Sequence, residues 1–342
     1  MTLGKNISTL RKRAVLALSD IAEALGVSKE TVVSWEADEV TPELEQLLKL
    51  KDVFDVSLDR LVTGEEPKVS TFNVNSLDTI CGTLCYAFGI DPPSTAADKN
   101  PQLAEYIDKI FDGGKADRVV MYNPDAIGQW VMQKYPEYVR EAKRHADVEI
   151  PLATVMPSVT PVCFGTMYTG AQPSVHGITQ YEKPVIKIET LFDALIKAGK
   201  KPAIITYANC SLSKIYKERD MDYYYFDEHE GAIEQVNALA AELILKDEYD
   251  FLLIYNENFD AAMHKNGPEN PRTLAELRVN AHAFGVISNL IKKHWKQHNT
   301  LLGFAMDHGC HEIDGECGSH GLNMPEDINI LHLYKGYKKE EN

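Results

Sequence analysis

A chain of 342 residues with 44% hydrophobic and 25% charged residues has the composition of soluble globular protein, which excludes a disordered or low-complexity chain. Single cores seldom grow much beyond about 250–300 residues, so one large domain plus a small one is expected. The formal net charge of −16 disfavours long-range attraction to nucleic acid or an anionic membrane, although an acidic domain can surround a site that metal ions make locally positive.

The N-terminus MTLGKNISTLRKRAVLAL scatters charge along its length, and no later stretch approaches about 18 apolar residues. No signal peptide and no membrane partner are expected, and the expected compartment is the cytoplasm. Five short helices are predicted, over 5–13, 18–25, 28–36, 42–54 and 57–62, with Gly26 and Thr41-Pro42 as punctuation. In LSDIAEALGVSKETVVSWE a helix, a tight Gly-Val turn and a second helix with Ser28 as N-cap have helix-turn-helix spacing.

Through IAEALGVSKETVVSWE, TPELEQLLKL and FDVSLDRLVTG the first 64 residues resemble the Cro/repressor family of helix-turn-helix domains. DNA recognition within 18–36 would then fall to Ser28, Lys29, Glu30 and Ser34. Ser19 and Glu30 stand where that family commonly has DNA-contacting glutamines. Residues 1–66 carry eight Lys/Arg against thirteen Asp/Glu, a net of −5, and phosphate contacts supply most non-specific affinity. A homodimer or docking contact is therefore the alternative to DNA.

Residues 65–75 (EEPKVSTFNVN) read as a polar linker, and the second domain is placed at 76–342. There, helices alternate with apolar strands at 117–122, 202–208, 250–256 and 300–306. That alternation predicts an α/β fold, a doubly wound, mostly parallel sheet buried on both faces. Six dispersed cysteines without CxxC spacing read as free thiols.

Three of the strands lead into acids or acid-histidine pairs: Asp125, then Asp260 with His264, then Asp307 with His308. In open α/β sheets the ligand site lies at the carboxyl ends of strands, so these residues can converge, and His320 in GSHG can join them. Six mixed Asp/His ligands suit two divalent ions, Zn or Mn, better than Ca or Mg. Upstream, Thr160-Pro161 reads as N-cap and N1 of a helix ending near Gly170. A hydroxyl there would sit beside unpaired N–H groups and the positive helix end, where a phosphoryl group binds.

The strand-end Asp125, the block PSVTP through HGI, FDAAMHKNGP, and the pair MDHG and GSHG run in the order of the alkaline phosphatase superfamily. The chain most resembles its type I phosphodiesterase/nucleotide pyrophosphatase and phosphopentomutase-like branches. The resemblance implies that Asp125, Thr160, Asp307 and His308 hold one metal and Asp260, His264 and His320 the other. It implies Thr160 as nucleophile and a phosphothreonine intermediate, with a small phosphorylated substrate, either a phosphodiester or a phosphomonoester. Cys163 stands where nucleotide pyrophosphatases carry an asparagine, and it reads as a packed thiol. His176 reads as a turn residue and Lys265 as a surface residue. The run YYYFDEH (223–229) is either core or an aromatic surface for a base or sugar, and YKGYKKEEN reads as an exposed tail. The alternative to an enzyme is a DNA-binding regulator whose phosphatase-like domain senses a phosphorylated ligand. A sugar-phosphate mutase ranks last, because 179–250 lacks the length for a cap domain.

Overall fold

A computed structural model of the chain describes residues 2–64, 71–227 and 231–340. The segment 65–70, most of the expected linker, and residues 228–230, which include the end of the aromatic run, lie outside the described residues. The chain divides into two compact units, one joining the N-terminal segment to Trp130–Arg140, the other formed by the remainder.

The N-terminal segment folds as α1 (Leu3–Arg13), α2 (Leu18–Leu25), α3 (Lys29–Glu36), α4 (Leu44–Phe54) and α5 (Leu58–Thr63). Thr2, Ser28 and Ser57 accept first-turn N–H groups and so start α1, α3 and α5. Gly26 closes α2 at φ +69, a left-handed geometry that glycine adopts without cost. Ile7, Leu10, Ile21, Leu25, Val32, Trp35, Leu50, Phe54 and Leu61 form its core. The Arg11 guanidinium fork ties α1 to α3, holding Glu36 at 2.5 and 2.9 Å.

The second unit is built on a seven-stranded sheet ordered β2-β9-β6-β1-β5-β3-β4. Its strands are β1 (Arg118–Pro124), β2 (Val148–Ala153), β3 (Pro202–Tyr207), β4 (Asp222–Phe226), β5 (Phe251–Asn256), β6 (Thr300–Phe304) and β9 (Asn329–Tyr337). The hairpin strands β7 (His311–Ile313) and β8 (Cys317–Ser319) pair separately. Only β9 runs against the others, since both of its pairings are antiparallel. The central strands β1, β3, β5 and β6 are buried along almost every residue, as sheets covered on both faces require.

Four strands match the apolar runs of the sequence, while β2, β4 and β9 were not expected. The C-terminal YKGY, read as tail, is the end of β9, with Tyr334 and Gly336 buried and Lys338–Glu340 exposed. The aromatic run forms β4, and its hydroxyls are used internally: Tyr223 on the Tyr216 carbonyl, Tyr224 on Tyr249, Tyr225 on the Ser213 carbonyl. All six cysteines are free. Among the described residues no helix is long and apolar enough to cross a membrane.

Candidate active site

β6, β1 and β5 are neighbours at the middle of the sheet, and adjacent strands lie about 4.8 Å apart. Asp125 follows β1, Asp307 and His308 follow β6, and Asp260 and His264 lie on the Asn258–Asn266 helix that leaves β5. Three sequence-distant segments are thereby delivered to one carboxyl-end crevice. Spacing of four residues puts Asp260 and His264 on one side of their helix, with His264 Nε2 3.3 Å from Asp260 Oδ1.

His320 arrives from β8. The β7–β8 hairpin turns at Asp314-Gly315, both at positive φ (51° and 77°), which is the type I′ geometry that Asp-Gly favours. Gly318 is required here: a Cβ would come within 2.4 Å of Met263 Sδ. Buried Asp327 holds the far side of the loop, receiving the Leu322 N–H at 2.8 Å and pairing with His311 Nδ1 at 2.8 Å.

Two groups result, Asp125 with Asp307 and His308, and Asp260 with His264 and His320. Within each, the candidate ligand atoms all lie within 4.8 Å of one another. The first group is buried, while His264 in the second reaches solvent. They touch through the tilted rings of His308 and His320, whose centroids are 4.2 Å apart.

Backbone carbonyls fix the imidazole tautomers. His264 Nδ1 donates to Gly318 (3.0 Å), His308 Nδ1 to Gly309 (2.9 Å) and His320 Nδ1 to Ser158 (3.0 Å). A carbonyl only accepts, so each neutral ring keeps its hydrogen on Nδ1 and turns the Nε2 lone pair inward. His264 and His320 Nε2 then face each other at 3.1 Å. The carboxylates are equally unsatisfied, because Asp125 Oδ1, Asp260 Oδ1 and Asp307 Oδ2 are buried without a hydrogen-bond donor.

The electrostatics follow. Burial, then the charge of Asp260, pushes the Asp125 carboxyl up, and burial, then Asp125, pushes Asp307 well up. Burial followed by His308 drives His320 down to about 3. Contact with Asp260 raises His264. Orphaned oxygens and facing nitrogen lone pairs without intervening hydrogens are what divalent cations relieve, and the mixed N/O donor set suits borderline ions.

Thr160 borders the buried group. Its Oγ1 lies 3.4 Å from Asp125 Oδ2 and 3.4 Å from His308 Nε2. The structure corrects its local setting. Val159 is the N-cap and Thr160 the first residue of the Thr160–Thr169 helix, which Gly170 closes. The N–H groups of Val162 and Cys163 both donate to the Val159 carbonyl at 3.0 Å, and Pro161 has none. Two donors of the expected first-turn cradle are thus taken up by the helix itself, leaving the hydroxyl, the Thr160 N–H and the helix field.

Several supporting residues had no marker in the sequence. The Tyr255 hydroxyl, from the fifth residue of β5, donates to Asp125 Oδ2. Ala126 takes φ +62, and its N–H reaches Asp307 Oδ1 at 3.3 Å. The Thr154 hydroxyl donates to the Asp307 carbonyl at 2.7 Å and lies 3.1 Å from the sulfur of Cys163. Cys163 is fully buried, and burial pushes its thiol well up, which fits a packed thiol. His176 stands outside both groups: its Nδ1 receives the Ile178 N–H, Nε2 meets Thr166 Oγ1 at 3.0 Å, and burial lowers it to about 4. Lys265 is exposed.

On the first unit, Lys29 and Glu30 are exposed at the start of α3. Ser28 Oγ is engaged as the cap, 3.1 Å from the Thr31 N–H, and Ser34 Oγ donates to the Thr31 carbonyl at 2.9 Å.

The family model for type I phosphodiesterase/nucleotide pyrophosphatase matches residues 142–335, and a helix-turn-helix model matches 7–61. The first match contains Thr160, Asp260, His264, Asp307, His308 and His320, while Asp125 precedes it. The HTH-type transcriptional regulator AnsR of Bacillus subtilis is 30% identical over 101 residues, which are 30% of this chain and 86% of the regulator. Human ectonucleotide pyrophosphatase/phosphodiesterase 5 is 18% identical over 57% of each chain, with a TM-score of 0.47. Phosphonoacetate hydrolase of Sinorhizobium meliloti is 16% identical over 58% of this chain and 59% of its own, with a TM-score of 0.44. The chain thus spans little more than half the length of these two solved structures. With more than half of its residues matched, it belongs to the type I phosphodiesterase/nucleotide pyrophosphatase family and carries a helix-turn-helix domain ahead of that region.

Proposed function

We propose that residues 76–342 form a two-metal phosphoester hydrolase acting through Thr160, joined by a linker at 65–75 to a helix-turn-helix domain at 1–64. The observation that carries this reading is the set of three orphaned carboxylate oxygens and three inward Nε2 atoms in two adjoining groups, with the Thr160 hydroxyl against the first. Asp125, Asp307 and His308 would hold one divalent ion beside Thr160, and Asp260, His264 and His320 the other, as Zn or Mn. Bound there, such ions supply Lewis acidity, lowering the pKa of a hydroxyl and offsetting phosphoryl and leaving-group charge.

Thr160 is the nucleophile. Its Oγ1 attacks phosphorus in line, the bond to the leaving oxygen breaks, and the proton lost by the hydroxyl ends on the departing alkoxide. Water then cleaves the phosphothreonine and frees Thr160. Asp125 Oδ2 and His308 Nε2, each 3.4 Å from Oγ1, fix the hydroxyl's direction, and Tyr255 fixes Asp125. Because the second group is the exposed one, substrate enters over His264. No arginine or lysine among the described residues hydrogen-bonds or ion-pairs with the six ligands or Thr160, which favours a singly charged diester over a monoester dianion. The metal-loaded protein is therefore expected to cleave a chromogenic phosphodiester faster than the matching monoester, and to lose that turnover with chelator. Absence of turnover on both esters in a chain loaded with two ions would count against the enzyme.

A second reading concerns the first unit, since its match to HTH-type regulators favours DNA as partner. We place the contact on the exposed Lys29 and Glu30, with Ser28 and Ser34 beside them, in a cytoplasmic homodimer. A mobility shift with DNA from upstream of the chain's own coding region should be salt-sensitive and weaken in Lys29→Ala. Equal retention of unrelated DNA by both proteins would remove sequence-specific binding.

A further inference from the structure

A cavity of about 470 Å³ lies at the amino ends of the parallel strands, the end opposite the Asp/His crevice. Thr300, the first residue of β6, pairs there with Tyr337 of β9, whereas Asp307 follows the opposite end of the strand. The five residues of β6 separate the two places, at about 3.3 Å per residue. Arg144, Lys292, Lys296, Lys335 and Lys338 line the cavity, and among the described residues Glu340 is the one carboxylate in its lining. On a chain of net charge −16 this is a local reversal of sign.

The plain account of such residues is helix-end complementarity, because cations gather at helix C-termini. That covers Lys292, in the last turn of the Pro271–His294 helix, and Arg144, which ends the Pro136–Arg144 helix. It does not cover Lys335 and Lys338, which come from β9 and the residue after it, nor their meeting with Arg144 from a different segment around one hollow. Outside charges take part of the load: Lys335 pairs with Asp147 at 2.5 Å, Lys338 with Asp112, and Lys296 with Glu340 at 2.9 Å. Arg144 and Lys292 have no ion-pair partner among the described residues. His145, held through Nδ1 at 2.7 Å from Ser288 Oγ, is lowered first by burial; Glu141 opposes that, and Lys335 and Lys292 add to it.

We propose that this cavity binds the phosphate or pyrophosphate group of a small anionic molecule, at a site separate from Thr160. A guanidinium fork with several ammonium groups matches an anion carrying more than one charge. The volume falls within the range of about 300–1,000 Å³ typical of small-molecule sites. The charges ring a single hollow, whereas a nucleic-acid strand would need a track of them.

The test is calorimetric titration of the full chain with inorganic pyrophosphate, kept in chelator so that the six Asp/His residues hold no metal. Saturable binding is expected. It should weaken at least tenfold in the double variant Arg144→Ser/Lys292→Ser and stay unchanged in Thr160→Ala. Both substituted residues are exposed, so the melting temperature should not move; Lys292→Glu alone should weaken binding too. Tighter binding of adenosine monophosphate than of inorganic phosphate would make the source a nucleotide, and equal binding would make it the free anion, each in support. No binding by the wild type, or loss in Thr160→Ala with retention in the double variant, would overturn the proposal. So would DNA binding that needs Arg144 and Lys292 while pyrophosphate fails to bind. As the measurement is made without metal, its failure leaves the hydrolase reading untouched.

Discussion

Thr160→Ala is expected to lower turnover by at least about 10³-fold, equivalent to about 4 kcal/mol of barrier, while both metal sites still fill. The separation of the two effects follows from position. Thr160 Oγ1 stands at the rim of the buried group, 3.4 Å from Asp125 and His308, whereas the ligand atoms are held by other elements. His308 is anchored on Gly309, Asp307 on the Ala126 N–H and Asp125 on Tyr255. Removing the hydroxyl would therefore take away the proposed nucleophile and leave the six candidate ligands in place. Metal content by mass spectrometry beside steady-state turnover checks this. Near-normal turnover with full metal occupancy would take the nucleophile's role away from Thr160.

Asp307→Asn is expected to act in opposite directions on stability and activity. Without metal, Asp307 is fully buried with Oδ2 lacking a donor, and its charged form is disfavoured by that burial and by Asp125. Asparagine keeps an oxygen for the Ala126 N–H and offers an amide hydrogen to the Asp125 carboxylate or to His308 Nε2, 3.3 Å from the present Oδ2. Leaving a buried polar group unpaired costs about 1–3 kcal/mol, so the metal-free variant should melt a few degrees above the wild type. The same change would remove a charged ligand of the proposed metal site, and turnover should fall by about 10³-fold or more, with a smaller rise in melting temperature on adding metal. Thermal melts with and without chelator decide it. A metal-free variant that melts below the wild type would mean that Oδ2 has no unmet demand.

What the sequence made legible was whatever rests on short-range pattern. DFLLIYN and TLLGFAM are buried on both faces and so read as continuous apolar strands, and the acid or histidine just past each strand marks the crevice. Asp260 and His264, four residues apart, announce a shared helix face. The edges of the sheet were harder. β2 carries a proline and exposed Glu149, while β9 runs into a lysine-rich end; both resemble loops until the antiparallel pairing of β9 with β2 and β6 is known. The same limit applies within the site. Thr160-Pro161 carries an N-cap signature, yet the helix starts one residue earlier relative to it, with Val159 as cap. Tyr255 and Asp327 reach Asp125 and the His320 loop through contacts between distant segments, and no local spacing encodes those.

The central claim is that Thr160 takes the phosphoryl group. The most direct measurement is rapid acid quench of the metal-loaded chain during turnover of a phosphodiester, followed by peptide mass spectrometry. A substrate-derived phosphoryl adduct is expected on the peptide containing Thr160, absent from chelated protein and from Thr160→Ala. Sustained turnover with no adduct on that peptide, or an adduct on another residue, would contradict it.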